Sequence, residues 1–271
     1  MRILIVSGSR ADLGLLHCPE KVLREDGHDV QLMLIHEHGF EMAFSQVGLC
    51  VAKFDLMLVL GDRWEIMASA IAAHLQRIPI AHIGGGDVSE GSYDDAMRDC
   101  ISRLASVHFS TSSASMARLL CLGYRNVHLV GNPAVDYIKH ADWRRERPIA
   151  EPYVVVSYQP ETIDDTVDLE AVNRAINGRK AVWIKPNKDR GAERIPAEHE
   201  YSHDAFLTLL YYCDEFIGNS SAMFYEAPWL REGGVRCKLI GKRQRGRVIP
   251  WGGEGKCSER IRDVLRLWPA S

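Results

Sequence analysis

Three features are missing from this 271-residue sequence. No apolar run approaches the length of a membrane span, and the apolar start at residues 1–6 is too short for a secretory signal. The seven cysteines are scattered and include no CxxC pair. A structural zinc site or a disulfide framework is therefore not indicated. We expect a cytoplasmic protein with no membrane contact and with reduced, mostly buried thiols.

A large excess of positive charge is also missing. The chain carries 33 Lys and Arg residues against 36 Asp and Glu residues, which gives a formal net charge of −3. Nucleic-acid binding through overall charge is therefore not indicated. Two local basic groups remain: residues 236–247, with six Lys and Arg residues and no acid, and the arginines of residues 144–147. Both could contact a polyanion, with Trp143 or Trp251 available to stack on bases.

Short apolar runs alternate with helical patterns along the whole chain. Leu56–Leu60 and residues 79–83 are typical of strands buried on both faces of a parallel sheet. Residues 64–76 between them place apolar residues at helical spacing. This alternation predicts an α/β fold with parallel, doubly wound sheets.

The division into domains is predicted from a stretch without an apolar period. Residues 143–148 have no such period and end in proline. We therefore predict that they link one domain at 1–148 to a second at 149–271. The second half again alternates strands and helices. A last helix at 258–268 is expected to pack back on the first domain.

Charged turns follow the strands of the central stretch. Asp62 and Arg63 come directly after Leu56–Leu60, and four more charged residues follow the next strand, namely Asp87, Asp94, Asp95 and Arg98. Ligands bind at the carboxyl ends of the strands in open α/β sheets, so we expect these side chains to lie on one rim. Asp62 has a second interpretation, as the N-cap of the helix that begins at Trp64.

Two turns that contain glycine and serine precede helical patterns, at residues 8–12 and 218–221. At a helix N-terminus such a turn points backbone N–H groups at an anion, and the second turn is a natural seat for a diphosphate. A simple helix cap is the alternative for Ser220 and Ser221. His36 and His38 are interpreted as loop histidines, because no third metal ligand is evident.

These turns belong to segments that together resemble a known family. The segments are GSRADLGLL at 8–16, LGDRWE at 60–65, IPIAHIGGGDVSEGSYDDAMR at 78–98, GNSSAMFYEAP at 218–228 and IGKRQRGR at 240–247. They look like the hydrolysing UDP-N-acetylglucosamine 2-epimerases, most closely the branch that makes N-acetylmannosamine for sialic acid synthesis. The resemblance implies a GT-B fold, in which two Rossmann-like domains hold a UDP-sugar in the cleft between them. It also implies no metal or other cofactor, and commonly a homodimer.

The resemblance further implies roles for individual residues. Arg243 would pair with phosphate oxygens, Glu226 would bind the ribose hydroxyls, and Asn187 lies at the turn that holds the nucleotide. The full UDP-sugar-binding set is Arg10, Asp12, Arg63, Gln159, Asn187, Asn219, Ser220, Ser221, Glu226 and Arg243. The expected catalytic residues are Asp62, Asp94 and Arg98, with Asp62 as the base and Asp94 as the second choice.

Departures from the family pattern bear directly on the chemistry. Gly84 stands where active epimerases carry a glutamate, Gln159 stands where they carry a histidine, and the segment before the third strand is shorter. The epimerase reaction removes the proton at C2, expels UDP and adds water to the resulting glycal. It needs more than one acid or base, each worth roughly 10²–10⁴-fold. Asp87 or Glu161 could substitute only from a shifted position.

Glycosyl transfer would use the same cleft with fewer proton-transferring groups. The sequence therefore favours a UDP-sugar-dependent glycosyltransferase with a UDP-N-acetylglucosamine-like donor. A hydroxymethylated DNA base, as in phage glucosyltransferases, is one candidate acceptor. Two alternatives stay open: a hydrolysing 2-epimerase that gives N-acetylmannosamine and UDP, and an inactive module that binds a nucleotide sugar. The sequence does not define the sugar, the acceptor or the oligomeric state.

Overall fold

The computed structural model describes residues 1–35, 39–187, 189–197 and 199–268, with all of their side chains except those of Arg10 and Ala11. The predicted loop histidines His36 and His38 lie outside these described residues. The chain divides into two compact units. The first comprises Met1–Asp87, Asp94–His140 and Pro250–Ser271, and the second comprises Val88–Tyr93 and Ala141–Ile249.

The first unit is built on a six-stranded parallel sheet. Its strands are β1 (Arg2–Ser7), β2 (Asp29–Leu34), β3 (Leu56–Leu60), β4 (Ile80–Ile83), β5 (Val107–Ser110) and β6 (Val127–Leu129). They lie in the order β2-β1-β3-β4-β5-β6. The helices that alternate with them are α1 (Arg10–Glu25), α2 (Phe40–Gly48), α3 (Trp64–Leu75), α4 (Asp94–Leu104), α5 (Ser113–Cys121) and α6 (Pro133–His140).

The core of this unit follows from the apolar strand pattern. Alternate residues of β1 and β3, among them Val6 and Val59, pack with Ile66 of α3 in one apolar cluster. Each such buried side chain stabilises the fold by about 1.5–3 kcal/mol relative to exposure. All of β3 is buried, as predicted for a strand covered on both faces.

The second unit is built on a four-stranded parallel sheet. Its elements are β7 (Val154–Ser157), α7 (Leu169–Ile176), β8 (Ala181–Trp183), α8 (His203–Tyr212), β9 (Glu215–Gly218), α9 (Ala222–Tyr225) and β10 (Cys237–Leu239). The strand order is β10-β9-β7-β8, and every neighbouring pair is parallel. The predicted doubly wound, parallel α/β class is therefore confirmed in both units.

The last helix, α10 (Cys257–Arg266), belongs to the first unit and packs on α1 and α6, in agreement with the prediction for residues 258–268. Asp136 of α6 fixes its start. The Asp136 carboxylate accepts hydrogen bonds from the backbone N–H groups of Cys257 (2.9 Å) and Ser258 (2.6 Å). A carboxylate at a helix N-terminus satisfies otherwise unpaired donors and complements the helix dipole.

The unit boundaries differ from the predicted domains at 1–148 and 149–271, and residues 143–148 are not a free linker. Trp143 is buried, and its ring packs edge to face against Tyr211. The Trp143 carbonyl accepts a hydrogen bond from Thr208 Oγ1 (3.1 Å). Burial of the large indole ring packs this stretch against the protein, although its sequence has no apolar periodicity. The expectation that Trp143 is available to stack on bases is therefore wrong.

Two helices also differ from the sequence pattern. α2 lies before β3, in the segment that is shorter than in the family and for which no element is predicted. α9, which follows the 218–221 turn, is a single turn of four residues and is succeeded by a 3₁₀ turn at Ala227–Trp229. Glu226 therefore lies at the end of α9 rather than inside a longer helix.

All seven cysteines are free thiols, but the expectation that most are buried is wrong. Cys18, Cys213 and Cys257 are buried, Cys50 is partly buried, and the other three are exposed. In the part of the chain that the structure describes, no helix has both the length and the apolar character needed to cross a bilayer.

Candidate active site

The first sheet reverses its strand order at β1. The chain proceeds from β1 to β2 on one side and then returns to β3 on the other side. The carboxyl ends of β1 and β3 therefore flank a topological switch point, where open α/β sheets bind ligands. The loop after β3 begins with Gly61 and Asp62, so Asp62 lies at this point.

A buried histidine holds the loop that carries Asp62. His82 Nε2 lies 2.8 Å from the Gly61 carbonyl oxygen, and its Nδ1 lies 3.0 Å from Ser102 Oγ. A carbonyl oxygen can only accept, so Nε2 carries the proton and Nδ1 accepts from the Ser102 hydroxyl. Burial lowers the pKa of His82 to about 4, so its ring is neutral at pH 7.

Arg98 of α4 gathers the acidic residues of this edge. Its side chain is almost fully buried and forms ion pairs with Asp62 and Asp95. Its Nη1 also donates to the Asp87 carbonyl oxygen (2.8 Å). The structure thus brings the predicted catalytic residues Asp62 and Arg98 together. Asp94, the third predicted catalytic residue, is the first residue of α4 and is half-buried.

The side chain of Asp87 has a structural role in the same edge. Its Oδ1 accepts hydrogen bonds from the hydroxyls of Thr111 (2.9 Å) and Ser115. These contacts join the loop after β4 to the start of α5, where Ser112 forms the N-cap. Asp87 is therefore engaged by α5, which argues against its replacing a missing catalytic acid.

Two further predicted residues of the first unit, Arg63 and Asp12, stand in local contacts. Arg63 donates to the buried Glu65 carboxylate, with Nη2 2.7 Å from Oε1. Asp12 shares a hydrogen bond with Ser9, the N-cap of α1. Arg63, and not Asp62, occupies the N-cap position of α3, so the interpretation of Asp62 as a helix cap is wrong. The side chain of Arg10 lies outside the described set.

Gly84, which the resemblance places where active epimerases carry a glutamate, has a backbone in the left-handed region. Gly84 follows β4 with φ +86°. Residues with a Cβ adopt this conformation at a cost of roughly 1–2 kcal/mol. The backbone here therefore suits glycine, and a glutamate at this position would be strained.

The second sheet reverses its order at β7, whose two neighbours are β8 and β9. Gln159 and Asn219 connect the loops after β7 and β9 by hydrogen bonds across this switch point. Gln159 N donates to Asn219 Oδ1 (2.7 Å), and Asn219 Nδ2 donates to the Gln159 carbonyl (2.8 Å). Gln159 Oε1 also accepts from Asn187 N (2.8 Å), which ties in the loop after β8. Most polar groups of Gln159 and Asn219 thus serve the site's framework, a role the sequence analysis missed.

Gly218 makes this close approach of two loops possible. It has φ +138°, and a Cβ added there would lie only 1.9 Å from the Ser157 carbonyl oxygen. No other residue fits this position without a backbone shift. The glycine of the 218–221 turn is therefore required by packing, independently of any ligand.

The two serines of this turn are placed differently. Ser220 Oγ accepts from Ala222 N (3.2 Å), while Ser221 is exposed and makes no side-chain cap bond to α9. Because α9 has only four residues, its dipole is much smaller than that of a full helix. The prediction of a diphosphate seat on a helix N-terminus is therefore reduced to the N–H and hydroxyl groups of the loop itself.

Arg243 is buried beside the loop after β7. Its Nη1 donates to the Pro160 carbonyl (2.9 Å) and to Asp189 Oδ2 (3.0 Å). The neighbouring Lys242 N donates to Glu161 Oε1 (2.7 Å). Glu161 is only 5% exposed, and its buried Oε2 has no hydrogen-bond partner among the described residues. A buried carboxylate oxygen without a donor is costly unless a ligand or a proton satisfies it.

Glu226 shows the same feature near the loop after β9. It is 7% exposed, and its buried Oε2 likewise has no hydrogen-bond partner in the described part of the chain. His203 Nε2 lies 3.9 Å from Glu226 Oε1. The position suits a carboxylate that accepts hydrogen bonds from ligand hydroxyls.

Three arginines of the basic segments contact other residues of the second unit. Arg247 donates to the Val88 carbonyl (3.1 Å) and to Ser89 Oγ (2.6 Å). Arg144 lies over the Tyr211 ring, and Arg145 forms an ion pair with Asp204. Arg247, Arg144 and Arg145 thus have protein partners, and the DNA acceptor stays a prediction.

Among the described residues, no three or more His, Cys, Asp or Glu side chains lie together so that they could hold a metal ion.

A family model described as UDP-N-acetylglucosamine 2-epimerase matches residues 42–251. The polysialic acid biosynthesis protein P7 of Escherichia coli is 29% identical over 72% of this chain and 56% of its own length. The GDP/UDP-N,N'-diacetylbacillosamine 2-epimerase (hydrolyzing) of Campylobacter jejuni is 26% identical over 72% of this chain and 58% of its own length. The chain thus spans little more than half the length of these curated relatives.

A solved structure supports the fold. The UDP-GlcNAc 2-epimerase from Neisseria meningitidis, bound to UDP-GlcNAc, is similar with a TM-score of 0.75 over 98% of this chain and 100% of that chain, at 15% identity. The predicted GT-B fold class, with two Rossmann-like domains on parallel sheets, is confirmed. By its family-model match, the chain belongs to the UDP-N-acetylglucosamine 2-epimerase family.

Proposed function

We propose that this protein binds a UDP-N-acetylhexosamine and converts it by hydrolytic 2-epimerisation into UDP and the free 2-epimeric sugar. The observation that carries the proposal is the buried Arg98, which holds Asp62 at the switch point of the first sheet. The names of the relatives favour this reaction over glycosyl transfer, which the sequence pattern favours.

The first chemical step needs a base and a stabilised leaving group. The base takes the C2 proton, the electron pair of that bond forms the C1–C2 double bond, and the C1–O bond breaks with its electrons leaving on UDP. Asp62 is the proposed base. Its ion pair with Arg98 favours the carboxylate form, which is the form that accepts a proton.

The second step adds water, with its oxygen at C1 and a proton at C2. Gln159 cannot supply that proton, because its amide does not ionise. Glu161, two residues further along the loop after β7, is the proposed second proton-transferring group. Support comes from its burial and from Oε2, which no donor in the described chain satisfies. A carboxyl group can both give and take a proton, which the amide of Gln159 cannot do.

The second unit supplies the proposed nucleotide contacts. Arg243 and the loop after β9, with the hydroxyls of Ser220 and Ser221, would contact the diphosphate. The unsatisfied Glu226 Oε2 is suited to accept from the ribose hydroxyls. Asn187, in the loop after β8, is a further proposed contact, and its backbone N–H donates to Gln159 Oε1.

Glycosyl transfer is the second candidate function, and one observation favours it. Gly84 and Gln159 stand where the family carries two ionisable residues. The left-handed backbone at Gly84 would strain a glutamate at that position. An inverting transferase needs only one carboxylate base, which Asp62 provides.

Product analysis separates the candidates. Purified protein is incubated with UDP-N-acetylglucosamine, without and then with a panel of acceptors that includes hydroxymethylated DNA. The proposal predicts equal amounts of UDP and N-acetylmannosamine without any acceptor. UDP release that depends on an acceptor would establish the transferase instead. Tight UDP binding without any turnover would establish an inactive binding module.

A further inference from the structure

A shallow cavity of about 570 Å³, open to solvent, lies at the amino-terminal edge of the second sheet. Four arginines line it, together with Asp214: Arg147, Arg179, Arg231 and Arg236. Arg179, Asp214 and Arg236 lie just before β8, β9 and β10, whereas the candidate active site follows the carboxyl ends of these strands. Strands of this length separate the two edges by about 10–13 Å. The cavity is therefore distinct from the nucleotide site proposed above.

Two of the arginines are held rigidly by backbone carbonyls. Arg231 donates from Nε to Gly234 and from Nη1 to Tyr211 and Cys213, at 2.9–3.2 Å. Arg179 donates from Nε to Ile176 (2.9 Å) and from Nη2 to Ala175 (2.6 Å). Side chains that are fixed in this way lose little conformational entropy when they bind a ligand.

Glu215 positions two of the arginines, Arg179 and Arg236. Its Oε2 accepts from Arg179 Nη2 (2.8 Å), and its Oε1 lies 3.3 Å from Arg236 Nε. Both carboxylate oxygens are thereby used by the inner edges of the two guanidinium groups.

The four guanidinium groups retain donors that the protein does not use. Within the described chain, Arg179 Nη1, Arg231 Nη2 and both terminal nitrogens of Arg236 donate to no protein acceptor. The same holds for the terminal nitrogens of Arg147, whose Nε alone donates, to the Ile149 carbonyl (2.9 Å). Against these four positive charges stand the carboxylates of Asp214 and the already paired Glu215.

We propose that this cavity is a binding site for a small phosphate-bearing metabolite. Guanidinium groups match phosphate oxygens in geometry and charge. Four arginines around one cavity carry more positive charge than the nearby carboxylates of Asp214 and Glu215 can neutralise. The volume lies within the range of small-molecule sites, and it is larger than a single inorganic phosphate requires. The site goes beyond the proposed epimerase function and does not depend on it.

Pyrophosphate is the probe for this proposal, measured by isothermal titration calorimetry with and without saturating UDP. UDP occupies the nucleotide site, so the pyrophosphate binding that persists reports the cavity. The test variant is Arg147→Ala/Arg236→Ala, because neither side chain anchors the backbone of a strand or helix. The matched control is Arg125→Ala/Arg174→Ala, which removes the same charge from exposed positions elsewhere.

We expect wild-type protein to bind pyrophosphate in the presence of UDP, and the test variant to weaken this binding by at least about tenfold. The control pair should change the Kd by less than about twofold, since it alters only overall charge. Arg147→Lys/Arg236→Lys keeps the charge without the fork and should be weakened to an intermediate degree. Complete competition by UDP, a titration that does not saturate, or equal weakening by the test and control pairs would overturn the proposal. A protein that binds no UDP at all would refute the proposed function and leave this test intact.

Discussion

Gln159 and Asn219 exchange two hydrogen bonds across the switch point of the second sheet, at 2.7 and 2.8 Å, and Asn219 is fully buried. The pair fixes the loops after β7 and β9 relative to each other. The groups proposed to contact the nucleotide stand on or beside these loops, so their precision depends on this pair.

Replacing Asn219 by alanine is expected to destabilise the protein by about 2–4 kcal/mol, because the Gln159 N–H and carbonyl groups would then be buried without partners. Urea unfolding measures the change. The control is Asn173→Ala on the exposed face of α7, which should stay within about 0.5 kcal/mol of wild type. Equal stability of the two variants would show that the pair does not hold the loops.

The buried histidines of the first unit predict a loss of stability in acid. Burial lowers the pKa of His82 and of His108 to about 4, from an ordinary value of 6.5. Both are neutral when folded, and the unfolded chain takes up protons first as the pH falls. The two histidines therefore leave the free energy of unfolding at its full value above pH 6.5. They lower it as the pH falls from 6.5 to 4, by about 3 kcal/mol for His82.

Urea unfolding between pH 7.5 and pH 4.5 tests this linkage. His82→Gln should flatten the decline in the free energy of unfolding, since its side chain does not titrate. His74→Gln, at an exposed position, should keep the wild-type decline. The account of His82 fails if its variant follows the wild-type pH dependence.

Glu161 is predicted to transfer a proton rather than to stabilise the fold. Glu161→Gln keeps the size of the side chain and an oxygen that can accept from Lys242 N. We expect kcat to fall by roughly 10²–10⁴-fold with little change in KM. Glu193→Gln, at an exposed position of the same unit, serves as the control. A kcat within about threefold of wild type would place the second proton-transferring group elsewhere.

Gly84 is predicted to be a conformational requirement. Gly84→Ala should cost about 1–2 kcal/mol of stability, because the residue has φ +86°. Gly48→Ala, at the end of α2, should be neutral or stabilising by up to about 1 kcal/mol, since its backbone is helical. Thermal unfolding of the two variants would contradict this interpretation if both shifted in the same direction.

The sequence predicts the fold and the first edge of the site better than the second. Buried apolar runs such as Leu56–Leu60 are local signals of parallel strands. The meeting of Asp62 with Arg98 follows because both lie after neighbouring strands, whose carboxyl ends share one edge. Sheet geometry thus predicts that such residues are close in space although they are far apart along the chain.

Other features depend on partners that no local pattern reveals. The hydrogen bonds between Gln159 and Asn219 join residues far apart in sequence. Both side chains are amides, which also bind ligands, so their type alone does not indicate a structural role. Trp143 stands in a polar stretch, and its burial and its edge-to-face contact with Tyr211 involve residues far along the chain. The shortness of α9 follows from the chain's turn at Glu226 and Ala227, which helical propensity does not show.

The most direct test of the account is the reaction in D₂O, followed by NMR of the released sugar. Wild-type protein should convert UDP-N-acetylglucosamine into UDP and N-acetylmannosamine that carries one deuterium at C2, without any acceptor. Asp62→Asn should abolish this product and leave UDP affinity within about threefold, because an amide cannot take the C2 proton. Asp99→Asn, at an exposed position of α4, should behave as wild type. UDP release only in the presence of an acceptor, or full deuterium incorporation by Asp62→Asn, would contradict the account.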